Sequence, residues 1–585
     1  MLKDDSALRG TWAEKLAAPV LLLALTALLY LPGTGTIPLM DRDEPRFAHA
    51  TVEMMQQGEW VLPYFNSNPA ETDAQRVARM HQGKTAMDVG FRFDKPPLTY
   101  WWMRLHYALL GVNELAARLH SVVATWLVSL VIFAMGQRLG GRTAAWWGAV
   151  GWLTSFQALV HGRLCVADMP MVLCVALTMW SLSELMGAEE KPARFGRWWW
   201  LLWLSLGLGF LAKGPIALLV PALAVALWRF VFWRKPLPWS RLQAGLGGLL
   251  AFGVVAAWGI PALLQTEGMF WKVGMGEHVV QRGTQAFNGR VIIPGYYLLT
   301  AFLSLLPGIV FLPQVVAYAR QRWTAQTALL VAWFAAPQVV FFLYATQLPH
   351  YTMPGFPAFF VLLGLAMKDA PAGVSRFARW LLGGFAALAL AVLAVVWCGK
   401  FEILAGLRTV FTCVAVILGT LAALGFAASW RSGKGLALSC VALAVALVFM
   451  GQDLRAMHPA VQLAPTLRAL PEKSRLVALQ FMEPSLVFYA NKPWSMYSNQ
   501  ARVEDKLAKG RADAFVLLVR EWTLADWLKH YLAGTPQPPT KDFTKEVEAL
   551  TAQAQGFNVQ DVRGLNLARS SWAEVRLLTR VQPSP

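Results

Sequence analysis

LLLALTALLYLPGTGTIPLMDRDEPRFAHA, residues 21–50, runs from unbroken apolar sequence into five charges within six positions, Asp41 to Arg46. Leu21 to Tyr30 belongs to a segment that can cross a bilayer, and Asp41, Arg42, Asp43, Glu44 and Arg46 follow it almost at once. Charges beside a bilayer are costly unless they are solvated, paired or functional. The plain reading is a solvated loop in which Asp41 or Asp43 caps a helix opened by Pro45. The rest of the chain decides whether that is enough.

Working outward, the same apolar texture returns through the first 450 positions. Of 585 residues, 56% are hydrophobic and only 15% charged, with a mean hydropathy of +0.44; soluble domains carry about 25% charged residues. Apolar runs near the roughly 20 residues that span a bilayer recur. They predict a polytopic α-helical membrane protein with about thirteen spans: 16–32, 115–137, 143–160, 169–186, 198–212, 215–233, 242–262, 295–318, 325–345, 351–367, 380–398, 409–429 and 435–451. The net charge of +18 then reports basic cytoplasmic loops rather than a nucleic-acid partner. Arg138 and Arg142, Arg234 with Lys235 and Arg241, Lys368 with Arg376 and Arg379, and Arg431 with Lys434 all fall on one side. That side is cytoplasmic by the positive-inside rule. The first span lacks a signal-peptidase site and reads as retained. The five cysteines show neither metal spacing nor a disulfide framework and read as small buried side chains.

Residues 1–451 are expected to form the membrane domain, with 33–114 a long outer loop carrying interfacial helices. Within it, 66–92 reads as a mobile or substrate-shaping loop. After 452 the texture changes: RLVALQ and DAFVLLVRE are strand-length, and VEDKLAKG and TLADWLKHYL are helical. A small outer α/β domain over 452–585 follows, without a phosphate loop or nucleophile motif.

Parity also gathers the polar residues that interrupt apolar runs. Asp43, Glu44 and Arg46 follow the first span; Asp94 and Lys95 precede the second; Asp168 sits between the third and fourth. Lys213 lies between five and six, Glu277 and His278 between seven and eight, Gln347, His350 and Tyr351 between nine and ten. All these turns face the outer side, which points to one interfacial site. Singly, each has a bland reading: Asp168 as an N-cap, Lys213 as a snorkelling cation, Leu348 onward as a Pro-rich turn. Together they suit transfer from a lipid-anchored phosphate donor, with carboxylates orienting an acceptor and cations holding a departing phosphate.

DEPRFA at Asp43, FDKPPLTYW at Phe93, VADMP at Val166, LAKG at Leu211, EHVVQR at Glu277 and LPHY at Leu348 occur in the order of a known family. The chain resembles the GT-C-fold lipid-linked-sugar glycosyltransferases, in the bacterial branch that holds the undecaprenyl-phosphate aminoarabinose:lipid A transferases and protein-mannosyltransferase-like enzymes. The resemblance implies an inner-membrane, inverting enzyme with a polyprenyl-phosphate sugar donor, a lipid A acceptor and a periplasmic active site. It implies Asp43 as the central catalytic carboxylate, Asp168 as the second acidic residue, Arg46 and Lys95 at the donor phosphate and Tyr351 nearby; from their place on the same face, Glu44 joins the catalytic candidates and Lys213 and His350 the phosphate-binding ones. It also implies a divalent ion, zinc favoured, at Asp94 and His278. Where that branch reads KLPTY this chain reads QLPHY: either His350 replaces the missing cation or the substrate differs. A hydroxyl acceptor on protein or polysaccharide is the alternative within the class, and a lipid or sugar transporter the alternative outside it. Transporters place charges near the midplane on broken helices with internal repeats, whereas these charges sit at span ends.

Overall fold

The computed structural model describes residues 12–40, 42–187, 195–281, 284, 293, 295–342, 344–370, 373–398, 408–536, 538–566 and 569–581. The chain divides into two compact units. The first comprises Met1–Thr34, Phe93–Trp102 and Arg118–Phe449, and the second Gly35–Arg92, Met103–Ala117 and Met450–Pro585.

The first unit is a helical bundle. Among the described residues, eight helices of the chain are long and apolar enough to cross a membrane, or nine if one bent pair counts as a span. They overlay the runs expected from 115, 169, 242, 325, 351, 380, 409 and 435 onward. Leu16–Tyr30 and Ile216–Phe232 are shorter apolar helices. The full count of thirteen is not reproduced by these lengths. The run over 143–160 forms two helices, Arg142–Leu153 and Phe156–His161. At the break the Thr154 and Ser155 hydroxyls donate to the Val150 and Trp152 carbonyls, a side-chain alternative to continued helix. The run over 295–318 bends by 106° between Tyr296–Ser304 and Gly308–Gln321.

Lipid supplies no hydrophobic force between helices, so close approach of small residues matters. Helix Arg142–Leu153 packs on Phe356–Met367 in this way. A Cβ on Gly148 would sit 2.7 Å from the Phe360 carbonyl oxygen, so only glycine permits the contact. Helix Asp168–Gly187 packs along Arg197–Lys213 as an antiparallel neighbour. That arrangement brings the first residue of one beside the last residue of the other. Gly214, with a φ of 80°, stops the second helix immediately after Lys213.

The second unit is built on a mixed sheet of β1 (Leu476–Leu479), β2 (Trp494–Tyr497), β3 (Ala514–Thr523), β4 (Lys541–Asp542), β5 (Phe557–Asn566) and β6 (Ser571–Arg580). The order is β2-β1-β3-β6-β5, with β4 on β3. β1 runs parallel to β2 and β3, whereas β3, β6 and β5 pair antiparallel. The buried run of β1 and the buried first half of β3 meet Val547, Leu550 and Leu578 in one core. The helical patterns expected in this tail appear as Gln500–Ala508 and Leu524–Leu532.

This unit is larger than the tail alone, because much of the first loop packs with it. Asn66 exchanges two side-chain hydrogen bonds with the Trp494 backbone, at 2.9 and 2.7 Å. Tyr489 Oη accepts from Leu39 N, and Arg455 Nη1 reaches Glu114 Oε1 at 2.6 Å. The stretch 66–92 is folded rather than a loop. Helix Asp73–His81 starts at a capping box of Thr72 and Gln75. Arg76, 2% exposed, donates to Asp73 and the Asn68 carbonyl. Its guanidinium lies 4.9 Å from the Tyr64 ring centroid. A buried cation hydrogen-bonded through both terminal nitrogens and stacked on a ring orders its segment.

Candidate functional site

In the first unit a cavity of about 400 Å³ opens among the apolar helices. Its wall is built from Phe93, Phe252, Trp258, Ile260, Leu263 and Phe270. Phe93 and Trp258 ring centroids lie 4.9 and 5.1 Å from that of Phe270. Its polar lining comes from Asp94, Lys95, Lys213, His350 and Tyr351. All five were expected from the sequence on one face, Lys95, Lys213, His350 and Tyr351 for a donor phosphate and Asp94 for a metal.

Beside the polar end, in contact with Lys213 and His350, is Asp168. It is the first residue of its helix rather than an N-cap, and it is 5% exposed. Its carboxylate receives Lys213 Nζ in an ion pair. Lys213 ends its own helix, so each charge also opposes its helix dipole. The lysine therefore does not snorkel. His350 Nε2 lies 3.8 Å from Asp168 Oδ1, and the His350 ring is 4.7 Å from that of His161. Tyr351 stacks edge-on to His350 at 5.0 Å, with Lys213 Nζ 5.9 Å from its ring centroid. Lys95 lines the same cavity and donates to the Asp94 carbonyl at 2.9 Å.

His161 is the residue sequence reasoning missed. The available signal was an ionisable side chain inside an apolar run, FQALVHG, which by itself marks a candidate site in a membrane protein. Gln157 Nε2 and His161 Nδ1 are 2.8 Å apart, and Ser304 Oγ donates to Gln157 Oε1. Arg163, between the helices Phe156–His161 and Asp168–Gly187, is buried under the Tyr30 ring at 5.1 Å and donates to the Leu159 carbonyl. Burial pulls its guanidinium down to about 10. Gln347, where a cation was missed, clamps the Ile293 backbone through both amide atoms. That leaves His350, not Gln347, beside Asp168.

Asp43, Glu44 and Arg46 belong to the second unit, on helix Asp43–Gln56. Arg42 is the N-cap and no side chain caps the helix; Asp41 lies outside the described residues. Asp43 is exposed in the first turn, Arg46 is half-buried, and Glu44, 2% exposed, accepts the Met40 amide at 2.8 Å. One turn on, His49 pairs with Glu53 at 3.1 Å, and Glu53 accepts from Ser67 Oγ. Of the pair expected to hold a metal, Asp94 lies on the cavity wall and the His278 side chain lies outside the described residues; Glu277 beside it is exposed. Cys165, Cys174, Cys413 and Cys440 are buried and form no disulfide with one another.

A bundle of apolar helices joined in sequence to an α/β unit is a GT-C-type fold. The crystal structure of ArnT from Cupriavidus metallidurans in the apo state is similar at a TM-score of 0.72 and 20% identity, over 98% of this chain and 100% of that one. The form bound to undecaprenyl phosphate is similar at 0.69 and 18%, over 97% and 98%. A model of the dolichyl-phosphate-mannose-protein mannosyltransferase family matches residues 94–258. The undecaprenyl phosphate-alpha-4-amino-4-deoxy-L-arabinose arabinosyl transferase of Pseudomonas paraeruginosa is 30% identical over 444 residues, 72% of each chain. The chain belongs to this arabinosyl transferase family. The match spans 57% of the Erwinia tasmaniensis relative and 64% of the Aeromonas salmonicida one, at 28% and 29% identity over 58% and 63% of this chain.

Proposed function

We propose that this protein is an inverting glycosyltransferase. It moves an aminoarabinose-like sugar from a polyprenyl phosphate to a lipid A phosphate at the periplasmic face of the bacterial inner membrane. The observation that carries this reading is the cavity, whose apolar wall includes Phe252, Ile260 and Leu263 of the spanning helix Trp239–Gln265 and whose polar end presents Lys95, Lys213, His350 and Tyr351. A polyprenyl chain needs the first and its phosphate needs the second.

In the reaction, an oxygen of the acceptor phosphate bonds to the anomeric carbon from the face opposite the donor. The bond from that carbon to the polyprenyl phosphate oxygen breaks, and its electron pair leaves with the phosphate. Lys95 and Lys213 neutralise the leaving group where water is sparse, so the charges count for more than they do in solvent. Asp168 holds Lys213 in place. Arg46 is the residue suited to a bidentate phosphate grip. Asp43 orients the acceptor, which arrives already anionic and needs little base catalysis; Glu44, bonded to a backbone amide, supports that turn. A divalent ion at Asp94 and His278 would add positive charge toward the leaving phosphate.

Mass spectrometry of lipid A and surface glycans, from cells with and without the gene, tests the reading. Loss of one defined sugar mass from lipid A is expected, with Asp43→Asn reproducing it. A loss from protein or polysaccharide instead would move the acceptor to a hydroxyl. Unchanged glycans with net movement of unmodified substrate in liposomes would remove the enzyme reading.

A further inference from the structure

The geometry points to a second metal site, distinct from Asp94 and His278: we propose that His161, Asp168 and His350 bind one divalent transition metal of the zinc class. One ligand atom from each lies within 4.8 Å of the other two. The three residues come from separate elements, the helix Phe156–His161, the start of Asp168–Gly187 and the turn Pro349–Gly355. Their meeting is therefore a product of tertiary packing and not of one helix's periodicity. Two imidazoles and a carboxylate form a donor set that suits zinc and leave a fourth position for water or a ligand oxygen. All three side chains are largely removed from solvent, at 7%, 5% and about a fifth exposed for His161, Asp168 and His350.

The surroundings of His161 fit ligation. A metal-binding histidine holds its second nitrogen in a hydrogen bond that sets the tautomer. Gln157 occupies that role at 2.8 Å from Nδ1. Turning the Gln157 amide over, an orientation assigned from the network, lets Oε1 accept the Nδ1 proton while Nε2 donates to Ser304 Oγ. Both hydrogen bonds are kept, and Nε2 becomes the ligating nitrogen.

Lys213 is the competitor. Its ammonium already holds the Asp168 carboxylate, and a dication at the same oxygen would repel it. Binding therefore releases Lys213 toward the cavity it lines, so metal occupancy sets how much positive charge that cavity presents. This consequence reaches beyond the transfer reading and does not depend on it.

The test uses the full-length protein in detergent, with Co²⁺ as the probe and Zn²⁺ as competitor. Asp94→Asn/His278→Asn is the background, so that any metal at that pair is absent. One Co²⁺ per chain with the visible band of a four-coordinate nitrogen–oxygen site is expected. His161→Gln and His350→Asn should abolish the band. Gln157→Leu should weaken binding about 10–100-fold and Gln157→Glu restore it. Lys213→Met should tighten binding about tenfold by removing the competing charge. The lysine and glutamine variants decide the matter even if a histidine variant fails to fold. No Co²⁺ band in the background protein, a band unchanged in both histidine variants, or weaker binding in Lys213→Met would each overturn the proposal.

Discussion

Replacing Lys213 by Met leaves the Asp168 carboxylate, whose side chain is 7% exposed, without its strongest partner. Breaking a buried ion pair from one side costs about 3–5 kcal/mol, because the surviving charge stays desolvated. Lys213 is itself 15% exposed, and His350 stands 3.8 Å away as a second neighbour, so the lower end, ~3 kcal/mol, is expected. Asp168→Asn strands a lysine that can swing into the cavity, and its loss should be smaller, roughly 1–2 kcal/mol. The double variant Asp168→Asn/Lys213→Met removes both charges and should cost less than the two losses summed, by about 2 kcal/mol. Equilibrium unfolding of the four proteins in one detergent, followed by tryptophan fluorescence, completes the cycle. Losses that add to within about 0.5 kcal/mol would refute the pair as a coupled unit.

Three further outcomes follow from the packing. His458, 4% exposed at the end of the last span, is held down to about 4 by burial and by Arg455. The unfolded chain protonates near 6.5 and the folded chain does not, so stability is full above pH 6.5 and falls as pH drops toward 4, by roughly 3 kcal/mol. His458→Phe should flatten that window in a pH series of thermal melts. Gly148→Ala places a methyl 2.7 Å from the Phe360 carbonyl and should destabilise by about 1–3 kcal/mol; Gly245→Ala, which meets nothing within 4 Å, is the neutral control in the same thermal assay. Arg76→Met removes the buried hydrogen bonds to Asp73 and the Asn68 carbonyl. Trypsin should then cut residues 66–92 at least several-fold faster while the spanning helices stay protected.

What could be read from sequence divides along a physical line. Apolar length reports spans well, so helices such as Glu114–Gly140 and Gly433–Met457 were legible, and so were the buried strands of the tail. Runs broken by local chemistry were not: the hydroxyls of Thr154 and Ser155 split one run, and nothing in average hydropathy registers them. Residues 66–92 looked like a polar loop because Arg76 counts as a charge in composition, yet here it is a buried structural cation. Parity placed Asp168, Lys213, His350 and Tyr351 on one face, and they meet. It could not give Lys213 to Asp168 or bring in His161, since those depend on how the lengths of neighbouring helices align their ends.

The two hydrogen bonds between Asn66 and Trp494 have a consequence for biosynthesis. Residue 66 is made 428 positions before its partner, a delay of roughly 20–90 s at ordinary elongation rates. During that interval the first loop must wait, unfinished, while the spans that follow it are made one after another. Its helices receive their last contacts only when the strand that carries Trp494 has also been made. A chain stalled or truncated after its last span would therefore carry a complete set of membrane helices and an incomplete first loop, and quality-control proteases would meet it there.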